Sequence, residues 1–360
     1  MSAMPHTEPH LLRLGLLLAG AGAPVRRAAA AVPDPTELAP ALAAAGIGRP
    51  LVDAALELAD RGAREVRERA AASGWRWLAP EDPDYPALLQ ATADPPLGLF
   101  VRGRLAAAPA VAIVGSRRAT PYGRQVARLL GEELGRAGVV MVSGMARGID
   151  FEAHRGALDA GGASWAVWGC GPDRVYPPEH AGLAEELAAS GALITEYPPG
   201  TPPRRHHFPE RNRILAGIAK AVVVVEAASR SGALITARLA SEEGREVLAV
   251  PGSIFSELSV GPNTLLRVGA RPLLTPRDLF EAIDWTPPDC APAVAGAGLL
   301  RSIPSGKSVS VDEIARRAGR DVAGIAADLL ALELSGDLRR DADGSYSRVR
   351  GTVGGEAAEP

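Results

Sequence analysis

The middle of the chain alternates short apolar runs with segments of helical spacing, and this alternation constrains the fold more than any other feature. The apolar runs, which a glycine- or serine-rich turn typically follows, are Ala110–Val114, Val139–Val142, Ser164–Trp168, Ala192–Thr195, Ala221–Val225, Glu246–Val250 and Arg271–Leu274. The helical segments between them include Tyr122–Ala137, Phe151–Ala160, Gly182–Ser190 and Ala233–Gly244. Residues Ala221–Val225 are apolar throughout, which is typical of a strand buried on both faces of a parallel sheet. The pattern predicts an α/β fold with a doubly wound parallel sheet, whose ligands lie beyond the carboxyl ends of the strands.

The segments on either side of this alternation, which occupies residues 76–285, predict smaller domains. Residues 1–75 are rich in alanine and leucine with helical spacing, including one helix at Leu51–Ala70, and predict a small helical domain. Within it, Ala45–Gly48 has the character of a helix-hairpin-helix turn, and a plain turn between packed helices is the alternative. The rest of the chain predicts a proline- and glycine-rich linker, a winged-helix domain and a disordered tail at residues 286–298, 299–350 and 351–360, respectively.

The winged-helix prediction follows from the order of elements near the end of the chain. Helical segments at Val311–Ala318 and Val322–Leu334 precede a hairpin at Leu338–Val349 that turns at Asp343-Gly344. The second helix carries no arginine, although a helix that reads DNA normally presents basic or amide groups. This favours a protein-contact or auxiliary role for the domain over sequence-specific DNA binding.

Composition narrows the classes of function. The chain has 39 Lys and Arg residues against 42 Asp and Glu, a net charge of −3 that excludes a uniformly basic surface but not a local basic patch. Two cysteines are too few for a disulfide framework or a cysteine-based metal site, which fits the reducing cytoplasm. The apolar stretch Leu11–Ala23 is too short to span a bilayer and Arg13 interrupts it, so we expect a soluble protein without a membrane segment.

Several turns at the ends of predicted strands combine glycine with hydroxyl residues and present backbone N–H groups, which bind anions. Their residues are Gly115, Ser116, Arg117 and Arg118 in the first turn, Ser143 and Gly144 in the second, Gly169 and Gly171 in the third, and Ser231, Gly232 and Thr236 in the fourth. One such turn fits a purely structural strand-to-helix connection equally well. A row of them along one edge of a sheet suits a polyphosphate or a strand of nucleic acid.

The densest basic cluster lies between the third and fourth turns. Four arginines and two histidines occur within residues 204–213, together with Phe208. Basic side chains beside an aromatic ring suit a nucleic-acid backbone with an unstacked base, and a solvated charged loop is the alternative. The flanking prolines and a helix expected from Arg211 favour a fixed geometry and therefore a binding role.

Other motifs are incomplete, and we therefore expect no cofactor, no metal and no catalytic group. Gly169 and Gly171 lack the third glycine of a dinucleotide fingerprint, because Arg174 stands there. The sequence contains neither a P-loop nor a nucleophile elbow. Asp150 and His154, four residues apart on one helix face, are too few for a metal site and predict a structural pair.

Short motifs follow one another in a fixed order through the middle of the chain. They are Gly115-Ser116-Arg117, Ser143-Gly144-x-Ala146-x-Gly148-Ile149-Asp150, Tyr176-Pro177, Phe208-Pro209-x-Arg211-Asn212-Arg213-Ile214, Ser231-Gly232-Ala233-Leu234-Ile235-Thr236 and Val250-Pro251-Gly252. In that order they resemble the DNA-processing protein A (DprA/Smf) family over about residues 80–283. The resemblance implies an extended Rossmann-like domain between a sterile-alpha-motif-like or hairpin-helix start and a winged-helix end.

The resemblance also implies a function. Family members are bacterial, non-enzymatic proteins that bind single-stranded DNA, form homodimers and help to load the recombinase RecA during natural transformation. The residues expected to bind DNA are those of the four turns together with Arg174, Arg204, Arg205, Phe208, Arg211, Asn212 and Arg213. Pro178 and His180 stand where the family usually has lysine and asparagine, and we expect Arg174, Arg204 or Arg205 to compensate.

Two other functions stay open on the sequence. Rossmann-like nucleotide phosphoribohydrolases hold one nucleotide in similar glycine turns, although residues 229–236 lack the catalytic glutamate of their signature. A winged-helix regulator of double-stranded DNA is the other alternative.

Overall fold

The computed structural model describes residues 9–32, 34, 37–60, 62–287, 297–300, 302–304, 307–334, 337–341 and 343–348. The chain divides into two compact units, Met1–Pro288 and Asp289–Pro360. Most of the predicted linker and all of the predicted tail, residues 351–360, lie outside the described residues. In the part of the chain that is described, no helix is both long and apolar enough to cross a membrane.

The first unit begins with a group of short helices, as the sequence predicts. They are α1 (Pro9–Leu18), α2 (Ala23–Ala30), α3 (Leu38–Ala44), α4 (Arg49–Asp60) and α5 (Gly62–Ala72). The single helix expected at Leu51–Ala70 is therefore two helices, α4 and α5. Buried Arg13 joins this group to the next segment, because it donates to Ala29 O (3.1 Å) and Val32 O (2.9 Å) and forms an ion pair with Glu81.

A nine-stranded sheet forms the centre of the first unit. Its strands are β1 (Arg76–Leu78), β2 (Leu99–Gly103), β3 (Ala110–Val114), β4 (Val140–Ser143), β5 (Ser164–Val167), β6 (Ala192–Thr195), β7 (Ala221–Val224), β8 (Glu246–Ala249) and β9 (Arg271–Pro272). Their order is β1-β2-β6-β5-β4-β3-β7-β8-β9. The strands from β3 to β9 are parallel to their neighbours within that set, which confirms the predicted parallel sheet. The antiparallel edge strands β1 and β2 were not predicted.

Helices cover both faces of this sheet. They are α6 (Ala87–Gln90), α7 (Pro121–Arg136), α8 (Ile149–Asp159), α9 (Ala181–Ser190), α10 (His207–Ile218), α11 (Gly232–Glu242), α12 (Val260–Arg267) and α13 (Pro276–Ala282). Along β7, Val222 and Val224 pack into one apolar cluster, and Ala221 and Val223 pack into another. The strand is thus buried on both faces, which explains its unbroken apolar sequence.

The strand order places the topological switch point beside β3. The chain continues from β3 to β4 on one side, whereas β7 pairs with β3 on the other side. The helices that follow β3 and β7 begin at side-chain caps, because Thr120 accepts from the N–H of Gly123 and Ser231 from that of Ala233. A crevice is expected between the carboxyl ends of β3 and β7, where such sheets bind their ligands.

The second unit has the predicted winged-helix arrangement. Its elements are α14 (Ala297–Leu300), β10 (Ser308–Val309), α15 (Val311–Ala318), α16 (Val322–Leu334), β11 (Leu338–Arg340) and β12 (Tyr346–Arg348). The three strands form an antiparallel sheet in the order β10-β12-β11. Ser310 caps the start of α15, and Gly319 ends that helix in the left-handed conformation with φ of 66°.

Candidate functional site

A cleft of about 780 Å³ lies at the switch point, between the turns that follow β3 and β7. The sequence-predicted residues that line it are Gly115, Ser116, Arg117, Arg205, Phe208, Arg211, Asn212, Ser231, Gly232 and Thr236. Arg230 also lines the cleft, although it was not among the predicted site residues. The first turn, the fourth turn and part of helix α10 therefore meet around one cavity.

The first turn places a free positive charge at the mouth of the cleft. Arg117 is exposed and forms no ion pair with any described residue, and its guanidinium lies 5.1 Å from the centre of the Phe208 ring. Glycine is required at position 115, since a Cβ there would lie 2.5 Å from Ile149 Cγ1. Arg118 is also exposed but does not line the cleft. The turn can therefore offer a guanidinium and backbone N–H groups to one anion.

A buried glutamate, which sequence reasoning missed, fixes the first turn against the end of β7. Glu226 accepts hydrogen bonds from the N–H of Thr120 (2.9 Å) and from the Thr120 hydroxyl. Its carboxylate lies at the start of α7, where the helix dipole favours negative charge. Glu226 directly follows the apolar run Ala221–Val225 in sequence, and that position was the signal that could have revealed it.

The fourth turn forms the opposite wall of the cleft. The Ser231 hydroxyl accepts from the N–H of Ala233 (3.3 Å), while Arg230 is exposed and has no ion pair among the described residues. Asn212 of α10 donates through Nδ2 to Gly232 O (3.3 Å), which ties the helix to the turn. Gly232 is exposed and has no atom within 4 Å of the site a Cβ would take, so its backbone stays open to a ligand.

The second turn does not form the open anion site that the sequence predicted. Asp150 accepts from the N–H groups of Gly144 (3.0 Å) and Ala146 (3.3 Å), so an internal carboxylate occupies the place expected for a phosphate. The Ser143 hydroxyl donates to Ile113 O (2.6 Å) and is fully buried. The predicted pair of Asp150 with His154 is also wrong, because His154 Nδ1 lies 2.8 Å from Ser164 Oγ.

Arg211 lines the floor of the cleft but is almost completely buried. It is only 4% exposed and its Nη2 donates to Gly144 O at 3.5 Å, while Nε and Nη1 have no hydrogen-bond partner among the described residues. Burial lowers the pKa of Arg211 to about 10, and burial raises the pKa of Asp150. The charge of Arg211 opposes the rise in the pKa of Asp150, so the two buried groups interact electrostatically beside the cleft.

The third turn and the rest of the basic cluster lie outside the cleft lining. His207 Nδ1 lies 3.1 Å from Gly169 O, and Gly171 N donates to Thr201 O (2.9 Å), so both glycines are engaged internally. Arg174 and Arg204 are exposed but do not line the cavity. The third turn therefore does not border the cleft, whereas the first and fourth turns do.

Arg213 is neutralised by carboxylates. It forms an ion pair with Glu196 and lies 3.5 Å from Asp94, and both Arg213 and Glu196 are largely buried. Its side chain does not line the cleft. The sequence assigned Arg211 and Arg213 of α10 to phosphate contacts. In the structure Arg211 is buried, and Arg213 forms an ion pair with Glu196.

The remaining chemistry of the cleft is simple. Asp150 is the single carboxylate among the described lining residues, and it is buried. No group of three or more histidine, cysteine, aspartate or glutamate residues that could hold a metal occurs in the described part of the chain. The fold and the site define a Rossmann-like protein with a basic cleft at the switch point of its sheet.

Sequence comparison assigns the chain to a family. Residues 76–284 match the family described as DNA recombination-mediator protein A, and residues 291–344 match the DprA winged helix domain. The chain is 41% identical to Protein Smf of Escherichia coli K12 over 290 residues, 76% of this chain and 77% of the relative. It is 39% identical over 331 residues to a putative DNA processing protein DprA of Mycobacterium tuberculosis H37Rv, covering 83% and 85% of the two chains.

Solved structures agree with this assignment. DNA processing protein A of Streptococcus pneumoniae superposes with a TM-score of 0.68 at 32% identity, over 76% of this chain and 97% of that one. DNA processing protein A of Helicobacter pylori, described for its single-stranded DNA binding mode, superposes with a TM-score of 0.53 at 27% identity, over 59% and 99%. The chain belongs to the DNA recombination-mediator protein A family, the DprA/Smf family of DNA-processing proteins.

Proposed function

We propose that this protein is a cytoplasmic, non-enzymatic recombination mediator that binds single-stranded DNA in the cleft and helps to load RecA during natural transformation. The single observation that carries the proposal is the charge of the cleft. Three exposed arginines, Arg117, Arg205 and Arg230, line it, and its one described carboxylate is buried, although the whole chain has a net charge of −3. Such a concentration of guanidinium groups in an acidic protein favours a polyanionic ligand.

The shape of the cleft supports a single strand over a duplex. The cavity is concave and lies between two turns, so a flexible backbone can bend its phosphates into it, whereas a duplex presents its phosphates on a stiff convex surface. The available contacts are guanidinium and backbone N–H groups, which bind phosphates without reading base edges. We therefore expect binding that depends little on sequence.

Fluorescence anisotropy with a labelled oligonucleotide tests the proposal. We expect the protein to bind the single strand at least about tenfold more tightly than the matching duplex. Arg117→Ala should weaken single-strand binding by about tenfold, because one exposed phosphate contact is lost. Arg277→Ala is the matched control, since Arg277 is 85% exposed on α13 and pairs with Glu281 outside the cleft. Equal affinities of the two variants would contradict the proposed site.

The proposal includes two partners. The family resemblance supports a homodimer, and so does the apolar exposure of Val268 and Leu274, which flank edge strand β9. Light scattering should give a dimer mass that Leu274→Glu reduces to that of a monomer. For RecA, the protein should shorten the delay before RecA hydrolyses ATP on DNA covered by single-strand-binding protein, and an unchanged delay would contradict RecA loading.

The proposal also excludes catalysis on nucleotides. In the cleft lining, the Asp150 carboxylate is already held by two backbone N–H groups, so it is poorly placed to attack or activate water. Incubation with AMP should release no adenine. Base release above that of the Asp150→Asn variant would support the phosphoribohydrolase alternative instead.

A further inference from the structure

The loop that follows β8, residues 251–259, carries the most exposed apolar side chains of the described chain. Phe255 is 93% exposed and Ile254 is 84% exposed. Neighbouring large apolar side chains at the tip of one loop leave a patch that a protein normally covers unless it binds something. We call residues 251–259 the β8 loop.

The β8 loop forms part of the wall of the cleft. Strand β8 pairs in parallel with β7, so the chain leaves both strands at the same edge of the sheet. The N–H of Ala227, in the turn after β7, donates to Leu258 O (2.7 Å), and Leu258 itself lines the cleft. The patch at Ile254 and Phe255 therefore belongs to the same loop as Leu258, a residue of the cavity to which we assign the phosphates.

A second exposed ring lies against the same loop. The Tyr122 hydroxyl, at the start of α7, donates to Pro251 O (3.3 Å), and the side chain is 52% exposed. Among the described Phe, Tyr and Trp residues, only Tyr122 and Phe255 carry exposed rings. The chain has 5 Phe, 5 Tyr and 5 Trp residues, so the occurrence of both exposed rings beside the cleft is not a consequence of an aromatic-rich surface.

The base of the β8 loop is held in place. Asn263 of α12 accepts from Gly252 N (3.2 Å) and donates to Gly252 O (3.0 Å), so it bonds both backbone groups of that residue. Near the tip, Phe255 N donates to Ser253 Oγ (3.3 Å), and Ser256 N donates to Ser253 O (3.0 Å). The exposed ring is therefore presented by a turn with a defined shape.

The Phe208 ring, which lines the cleft, already contacts two other side chains. Arg117 lies over the Phe208 ring, and the Tyr176 ring packs against it with a centroid separation of 5.4 Å. A base therefore meets less free ring surface at Phe208 than at Phe255. A single strand whose phosphates bind the arginines still exposes its bases, and these stack on free aromatic rings with little dependence on sequence.

We propose that Phe255 is a base-stacking residue, with Ile254 and Tyr122 completing an apolar platform for the bases of the single strand whose phosphates occupy the cleft. This inference rests on the proposed function. It assigns the phosphates to the arginines of the cleft and the adjoining bases to the β8 loop. Phe255 thus extends the binding surface beyond the cavity itself.

Single-strand affinity of Phe255 variants tests the platform. Phe255→Ala should bind a labelled oligonucleotide about five- to tenfold more weakly than the parent, whereas Phe255→Trp should retain the affinity. Leu129→Ala is the matched control, because Leu129 is an exposed apolar residue on α7 that neither lines the cleft nor belongs to the β8 loop. The salt dependence of Phe255→Ala should equal that of the parent, since no phosphate contact is lost.

Oligonucleotides with one abasic site at successive positions identify the stacked base. We expect an abasic site at one or two positions to weaken binding to the parent protein, and the same sites to have no effect on Phe255→Ala. Parental affinity of Phe255→Ala, an abasic pattern unchanged by the substitution, or a loss of self-association without a loss of DNA affinity would each overturn the inference. If Arg117→Ala weakens binding while Phe255→Ala does not, only the stacking role fails. If the parent protein does not bind single strands, the proposed function fails as well.

Discussion

The first turn and helix α10 are both rich in arginine, yet the structure uses their charges in opposite ways. On the turn, Arg117 is exposed and has no carboxylate partner among the described residues. On the helix, Arg211 is buried near Asp150, and Arg213 is paired with Glu196. The difference shows that clustered arginines in a sequence define a binding surface only where the fold leaves them open to solvent.

This comparison has an energetic consequence. An exposed cation contributes little to folding and is available to a ligand. A buried ion pair contributes little to binding, but removal of one partner leaves an uncompensated charge in the interior. Substitutions in the two regions should therefore separate stability from DNA affinity.

The largest expected effect is a loss of folding stability when the paired arginine of α10 is removed. Arg213→Ala should lower the free energy of unfolding by about 3 kcal/mol, because Glu196 loses its partner in a largely buried site. Arg117→Ala should change that free energy by no more than about 0.5 kcal/mol. Urea unfolding followed by circular dichroism gives both values. Similar losses in the two variants would remove the distinction between the two regions.

The next effect concerns a buried titratable group on α8. Burial lowers the pKa of His154 to about 3, against about 6.5 in the unfolded chain. The stability that this group contributes is fully present above pH 6.5 and is lost as the pH falls toward 3. Between pH 7 and pH 5 its share of the free energy of unfolding should decrease by about 2 kcal/mol. His154→Gln should show a correspondingly weaker pH dependence, and an unchanged dependence would contradict the assignment.

The smallest effect separates arginines that line the cleft from arginines that do not. Arg230→Ala should weaken single-strand binding by about fivefold, because Arg230 lines the cavity without a carboxylate partner. Arg204→Ala removes the same charge from an exposed position outside the lining and should change affinity by less than about twofold. Equal effects in anisotropy titrations would show that net charge, not the cleft, sets the affinity.

The sequence predicts the parallel sheet well, because residues such as Ala221–Val224 must be apolar on both faces. It also predicts helices α15 and α16, since the capping serine at 310 and the left-handed glycine at 319 are local signals. It misses strands β1 and β2, which are short and show no regular alternation. Helix α10 begins at His207, earlier than expected, because Pro209 falls in its first turn, where proline is tolerated.

The site is less accessible to sequence reasoning for a physical reason. Burial and pairing depend on residues far away in the chain, as with Arg213, which meets Asp94 and Glu196. The turn at Ser143 and Gly144 has the composition of an anion site, but Asp150 occupies its N–H groups. The exposure of Phe255 likewise depends on how the β8 loop leaves the sheet, which no local pattern reveals.

The most direct test of the account is the salt dependence of single-strand binding in two matched double variants. Arg117→Ala with Arg230→Ala removes two charges from the cleft lining, and Arg174→Ala with Arg204→Ala removes two exposed charges outside it. The first pair should reduce the slope of log affinity against log salt by about 1.4, or about 0.7 for each phosphate contact, and the second pair should leave it unchanged. Equal reductions in both pairs would contradict the claim that the cleft at the switch point is where the phosphates bind.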